Sequence, residues 1–198
     1  MTAAQRLSWL SQALHVMRPA VRLRDQAETL AAHLDAGDNV LDVGCGTGLL
    51  SAYLQQMYRV DPTGLDIKDF RQAQIPFRQF DGTSIPFPDN AFDHVVLSEM
   101  LHHSPDPVAL IKECRRVARR GIIVFEDMPD GRLGKLILLA HVELFARYHH
   151  YPFRPARVAE YRSALAWLGD HARCVARIPQ PPEWFTVYPR VLFDYAVS

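Results

Sequence analysis

An α/β domain built on a doubly wound, mostly parallel sheet is the fold that this sequence predicts, and three observations predict it. Short apolar runs alternate with amphipathic stretches of helix length through most of the chain. Val40-Leu41-Asp42-Val43 passes directly into Gly44-Cys45-Gly46-Thr47-Gly48 and then into Leu49-Leu50-Ser51-Ala52-Tyr53-Leu54, which reads as strand, glycine turn and helix. The chain of 198 residues, 48% hydrophobic and 22% charged, is long enough for one substantial core.

Taken in order, residues 3–17 place Leu7, Leu10, Leu14 and Met17 on one helical face, and residues 21–34 repeat the pattern before Gly37. The first strand covers 39–43, and its helix runs to about Gln56. Residues 58–60 and 64–67 bracket a second strand ending on Asp66. Phe77 to Phe80 form a short third strand leading to Asp81. The turn-rich stretch Gly82 to Asn90 leaves little room for a helix. Phe92 to Ser98 make the fourth strand, with Val95, Val96 and Leu97 at its centre. Pro105 and Pro107 open a helix to about Arg119, because proline is tolerated where the N–H has no partner. Gly121 to Glu126 form the fifth strand.

In the last third, Leu133 to His149 read as a long amphipathic helix and Pro155 starts another to about Leu168. Arg173 to Ile178 and Val191 to Val197 read as two closing strands, separated by a proline-rich loop around Pro179 to Phe185.

Composition narrows the function. A formal net charge of zero disfavours non-specific binding to nucleic acid or an anionic membrane. Cys45, Cys114 and Cys174 are few, separated and odd in number, which suggests neither a disulfide framework nor a zinc cluster and fits a reducing cytoplasm. No signal pattern opens the sequence, and the apolar run Leu136 to Leu144 is too short to span a bilayer. The expectation is a cytoplasmic protein, monomer or homodimer, without membrane insertion, nucleic-acid partner or metal.

Strand, glycine turn and helix together form the cradle that Rossmann-like domains use for nucleotides. Glycine lets the backbone press close to a ligand, and unpaired N–H groups at the helix start favour a negative group. Dinucleotide binders need a third Gly or Ala where this chain has Leu49, with Gly48 one position early. Alone, the run stays open between a dinucleotide and an adenosyl sulfonium ligand. The strand ends narrow the choice. Asp66 lies about twenty residues beyond the first glycine, where an acid meets ribose hydroxyls. Asp81 can accept from an adenine amino group, and Ser98 lies below the amino-acid part of the ligand. Each also has a structural reading, Asp66 as a helix cap and Asp81-Gly82 as a turn dipeptide.

The segments VLDVGCGTG, GLDI, FDGTSIPFPDNAFDHVV and LSEMLHHSPDP, over roughly 38–126, resemble the small class I S-adenosylmethionine (SAM)-dependent methyltransferases of the ubiquinone and menaquinone biosynthesis type. The resemblance implies a Rossmann-like, seven-stranded sheet with an antiparallel last strand and a helical lid. Residues 1–198 would be a single domain: N-terminal helices over 1–36, a cofactor core over 37–127, a lid over 128–155, and a helix with a β-hairpin over 156–198. It implies SAM as donor, S-adenosylhomocysteine as product, and methionine contacts from Asp42 and the loop of Gly44, Cys45, Gly46 and Gly48. Ribose contacts would come from Asp66, adenine contacts from Ile67, Asp81 and Gly82, and the floor from Ser98.

Methyl transfer needs a base only if the acceptor must lose a proton. His102 and His103 follow the fourth strand and are the candidates, the alternative being a turn with one ring packed and one solvated. Glu126 and Asp127 end the fifth strand over the same crevice. The Asn/Asp-Pro-Pro-aromatic run of many base and glutamine methyltransferases is replaced by Ser98-Glu99-Met100-Leu101. The acceptor wall is expected from residues 128–155 and 179–188, with His149, Tyr151 and Trp184 as substrate contacts and Leu133, Leu136, Ile137, Leu139, Ala140, Leu144 and Phe145 as an apolar lid face. The expected activity is methylation, at oxygen first, of a small apolar or aromatic metabolite. The alternatives are a SAM-binding module without turnover and, further off, an NAD-dependent oxidoreductase.

Overall fold

The computed structural model describes residues 19–128, 156–178 and 190–197, together with Arg132, Gly134, Leu136, Leu139, Ala140 and Glu143. The strands are β1 Asn39–Val43, β2 Asp61–Asp66, β3 Phe77–Gln79, β4 Phe92–Ser98, β5 Ala118–Asp127, β6 Cys174–Ile178 and β7 Arg190–Ala196. The helices with defined bounds are α1 Pro19–Ala31, α2 Leu49–Tyr58, α3 Pro107–Val117 and α4 Ala156–His171. All seven strands join one sheet in the order β3-β2-β1-β4-β5-β7-β6. β1 pairs in parallel with both β2 and β4, and β7 runs antiparallel to both β5 and β6. The strand order reverses between β1 and β4, which opens a crevice at their carboxyl ends.

Period-two alternation splits the core into two layers. Leu41, Val43, Val95, Leu97, Ile122, Val124, Val191 and Phe193 face a cluster with Leu110 and Cys114 of α3 and Tyr161, Leu165 and Leu168 of α4. Val40, Val96, Ile123, Phe125 and Leu192 face the other, with Ala27 and Leu30 of α1 and Leu54 of α2. The central strands are buried on both faces and so appear in the sequence as unbroken apolar runs.

Most elements fall where the sequence places them, and the differences have local causes. The helix expected over 21–34 occupies Pro19–Ala31, and the one after the glycine turn reaches Tyr58. α3 ends at Val117, before Arg119, because Ala118 already pairs with Phe92 across a register shift, so helix passes into strand without a loop. The start of α3 is fixed by Asp106, whose carboxylate accepts the Ala109 N–H at 2.9 Å, with Pro107 inside the first turn. The described residues from Arg132 to Glu143 are all helical, and Leu136 is 62% exposed. The helix expected over 3–17 and the loop 179–188 lie outside the described residues.

At the amino end of the sheet, Arg120 bridges Asp38 at 2.6 Å and Asp35 at 2.7 Å. His94 Nδ1 stands 3.0 Å from Asp38, and Asp194 of β7 meets His33 at 2.9 Å and Arg173 at 2.8 Å. These contacts tie the segment after α1 to β4, β5 and β7 at the end away from the crevice. Among the described residues no helix is long and apolar enough to cross a membrane.

Candidate functional site

The glycine turn is shaped by what it presses against. At Gly44 (φ +76°) a Cβ would stand 2.7 Å from Met100 Cβ, so only glycine lets the β1–α2 turn pass the end of β4. At Gly46 (φ +50°) a Cβ would meet nothing within 4 Å, and the turn presents open space on that side. Gly48 begins α2, while the N–H groups of Gln72 and Ala73 donate to the Thr47 carbonyl at 2.8 and 3.2 Å and pin the turn from the β2–β3 connection. Cys45 packs against Gly64, and burial pushes its thiol far above the usual range, which leaves it inert.

Two buried carboxylates face this turn. Asp42 accepts from Ser51 Oγ at 2.5 Å. Burial, with a smaller push from Asp66 and an opposing pull from Ser51, raises Asp42 to about 6. Asp66 accepts the Gly46 N–H at 2.9 Å on Oδ2 and the Ile67 N–H at 2.7 Å on Oδ1. Burial also raises Asp66, and these backbone bonds pull the other way.

Asp81 is exposed and organises its own turn, accepting from the Thr83 and Ser84 N–H groups at 2.8 Å and from Thr83 Oγ1 at 2.9 Å. Those bonds hold it below the usual carboxylate range. Its structural reading as a turn residue is therefore realised. Next to it, the Cβ position of Gly82 lies 3.4 Å from Ile67 and 3.7 Å from Pro105, so Ile67, Gly82 and Pro105 stand together beside the end of β2. Ser98 accepts from Gln26 Nε2 at 2.6 Å, a bond that brings α1 over the end of β4.

On the other face of the sheet, Glu126 is fully buried and gathers three donors. The Leu101 N–H reaches Oε1, while His102 Nδ1 at 2.8 Å and Tyr161 Oη at 3.2 Å share Oε2. His102 is 6% exposed, and its ring centroid is 4.1 Å from that of His103 and 5.8 Å from that of Tyr161. With Glu126 ionised its oxygens can only accept, which puts the hydrogen on Nδ1 of a neutral ring and makes Nε2 the basic nitrogen. Beside this cluster Glu99, with φ 53°, meets Arg190 at 3.1 Å.

The structure thus gathers Asp42, Gly44, Cys45, Gly46, Gly48, Asp66, Ile67, Gly82 and Ser98 around the carboxyl ends of β1, β2 and β4, while His102, with His103 beside it, pairs with Glu126 on the other face of the sheet. His149, Tyr151 and Trp184 lie outside the described residues. Gln26 and Tyr161 are contributions that sequence reasoning missed. Both sit on helices whose apolar spacing hides them, Gln26 as one more polar helix residue and Tyr161 as one more core aromatic. Among the described residues no group of three or more His, Cys, Asp or Glu is placed to hold a metal ion.

Residues 41–125 match the methyltransferase domain family. The chain is 34% identical over 178 residues to a ubiquinone biosynthesis O-methyltransferase of Xanthomonas oryzae, covering 79% of this chain and 72% of that one. It is 30% identical over 169 residues to a phosphatidylethanolamine N-methyltransferase of Cereibacter sphaeroides, covering 77% and 73%. It is 31% identical over 139 residues to the 27-O-demethylrifamycin SV methyltransferase of Amycolatopsis mediterranei, covering 64% of this chain and 47% of that one, about half its length. Among solved structures, a SAM-dependent methyltransferase from Aquifex aeolicus superposes with a TM-score of 0.60 at 17% identity, covering 87% and 89%, and shares the fold.

Proposed function

From the premise that the chain belongs to the class I SAM-dependent methyltransferases, we propose that it methylates a hydroxyl oxygen on a small apolar or aromatic metabolite. The pairing of His102 with buried Glu126 carries this reading, because a hydroxyl acceptor must surrender a proton and His102 Nε2 is the nitrogen to take it. Glu126 orients the ring and stabilises the imidazolium that forms.

The glycine turn and strand ends fit the methyl donor. The open side of Gly46, the buried carboxylate of Asp66 next to it, and the Ile67–Gly82–Pro105 wall are a cradle, a polar anchor and an apolar slot in sequence around one crevice. Asp42 and the Gly44–Gly48 turn would hold the methionine part, Asp66 the ribose, Ile67, Asp81 and Gly82 the adenine, and Ser98 the floor. When bound, SAM supplies a methyl group already activated on a positive sulfonium. The chain's own residues then have two tasks, holding the acceptor in line, worth several kcal/mol by orientation alone, and accepting its proton. His149, Tyr151 and Trp184 are proposed to wall the acceptor.

The relative acting on phosphatidylethanolamine keeps an amine acceptor as the second reading. Turnover with methyl-labelled SAM separates the two, with an alkylated catechol and phosphatidylethanolamine offered side by side. Label is expected on the catechol oxygen. Label on the amine with none on the catechol would overturn the oxygen reading.

A further inference from the structure

We propose that Tyr161 is a positioning residue for methyl transfer, acting on His102 through the carboxylate of Glu126. The inference rests on the reading of His102 as proton acceptor. Tyr161 lies on α4, far along the chain from the strand ends, and its side chain is 2% exposed within the α3–α4 core. A hydroxyl buried in such a layer is costly unless bonded, and phenylalanine would fill the same volume without that cost. Among the described residues the hydroxyl donates to Glu126 Oε2 at 3.2 Å, the same oxygen that receives His102 Nδ1 at 2.8 Å. The Tyr161 ring also meets the His102 ring edge-on, with centroids 5.8 Å apart and planes at 72°.

Two consequences follow. The ring limits rotation of the imidazole. The hydroxyl draws part of the negative charge of Oε2 to itself, which weakens the hold of Glu126 on an imidazolium and so lowers the proton affinity of His102 below what Glu126 alone would set. Among the described residues, Glu126 of β5, Tyr161 of α4 and His103 of its own turn are titratable groups against His102. Without the Tyr161 hydroxyl the full charge of Oε2 falls on His102 and raises its proton affinity.

The test is Y161F in the full chain, followed by NMR titration of labelled histidines with the His102 signal assigned through His102→Asn. The His102 midpoint is expected to rise by about half a pH unit, the size of one modest hydrogen bond. The acid limb of kcat for methylation of an alkylated catechol should move up by the same amount, with KM for SAM unchanged. E126Q, which removes the charge, should move the midpoint down. A purely structural tyrosine would lower Tm and leave the midpoint in place, and an unmoved midpoint in Y161F overturns the proposal. A midpoint that moves while the acid limb stays fixed leaves the Tyr161 link standing and removes His102 from the role of proton acceptor.

Discussion

Asp66 Oδ2 accepts the backbone N–H of Gly46 at 2.9 Å, so the acid that ends β2 is also the clamp of the glycine turn. Its other oxygen holds the Ile67 N–H at 2.7 Å, the residue that lines the slot with Gly82. One side chain therefore fixes the turn and the apolar wall and still offers lone pairs to a ligand. Asp66→Ala should weaken SAM binding by at least ~1 kcal/mol, about fivefold in Kd, through lost charge-assisted bonds. It should also lower the apo stability by about 1–3 kcal/mol, because the Gly46 and Ile67 N–H groups lose their acceptor. Calorimetry with SAM and urea unfolding measure the two losses. Unchanged affinity with reduced stability would leave Asp66 as a clamp alone.

Asp42 gives the site a pH dependence with a definite sign. Its carboxyl titrates near 3.8 when free and at about 6 in the fold, because burial disfavours the anion. Between those values the folded protein binds more protons than the unfolded chain, so apo stability falls as pH rises through the window. Positive SAM favours the ionised carboxylate, so its affinity should rise between pH 5 and 7 with proton release on binding. Asp42→Asn should raise the Tm of the apo protein at pH 8, where up to about 3 kcal/mol of ionisation cost is removed, and leave it nearly unchanged at pH 4. The same substitution should weaken SAM binding and flatten its pH profile. A Tm gain equal at both pH values would place the effect outside Asp42 ionisation.

The contrast between Asp42 and Tyr161 shows what the sequence makes legible. β1, its turn and α2 are local: the apolar run, the glycines and the following helix are contiguous, and the turn's chemistry is written in consecutive residues. Asp66 was legible through its spacing from Gly44. The bonds that define the other half of the site join residues remote in sequence, Gln26 to Ser98 and Tyr161 to Glu126, and no local period marks a helix residue that will meet a strand end. Asp81 shows the opposite case. Its turn chemistry, Asp before Gly, was readable and is what the structure displays, with all three bonds within residues 81–84 falling on Oδ1.

Gln26 is the described link between α1 and the crevice floor, through its 2.6 Å bond to Ser98. Gln26→Ala should loosen α1 over the end of β4 and weaken SAM binding by about 0.5–1.5 kcal/mol, with a smaller effect on global unfolding because Ala27 and Leu30 keep the helix packed. Hydrogen exchange of α1 with and without SAM tests it. Equal protection in the variant and the parent would mean that the bond does not hold the helix.

The amino-end lattice should govern acid stability. Burial lowers His94 despite the adjacent Asp38, and Arg120 adds to that lowering. His94 is therefore held neutral, and its contribution is present above about pH 6.5 and is lost as pH falls, since the unfolded chain then binds the extra proton. Arg120 is half-exposed, so Arg120→Ala should cost about 1–2 kcal/mol at pH 8, where buried Asp38 loses its cation. At pH 5.5 the cost should shrink, because His94 can then protonate and pair with Asp38 at 3.0 Å. Urea unfolding at the two pH values reads the difference, and a cost that grows on acidification would refute this account of His94.

His102 separates binding from chemistry. Its imidazole is tied to Glu126 and lies on the α4 side of the sheet, whereas Asp42, Asp66 and the glycine turn supply the contacts proposed for SAM. Replacement by Asn keeps a polar donor of similar shape for Glu126 and removes the basic Nε2. SAM affinity should stay within about twofold, while kcat for a hydroxyl acceptor should fall by about 10²–10⁴, the range for loss of a general base. The deficit should shrink as the acceptor becomes more acidic, since a hydroxyl that is already ionised needs no base. A series of catechols of falling hydroxyl pKa measures that trend. A deficit independent of acceptor acidity would assign His102 to orientation of the acceptor, and its bond to Glu126 would then serve to aim the ring.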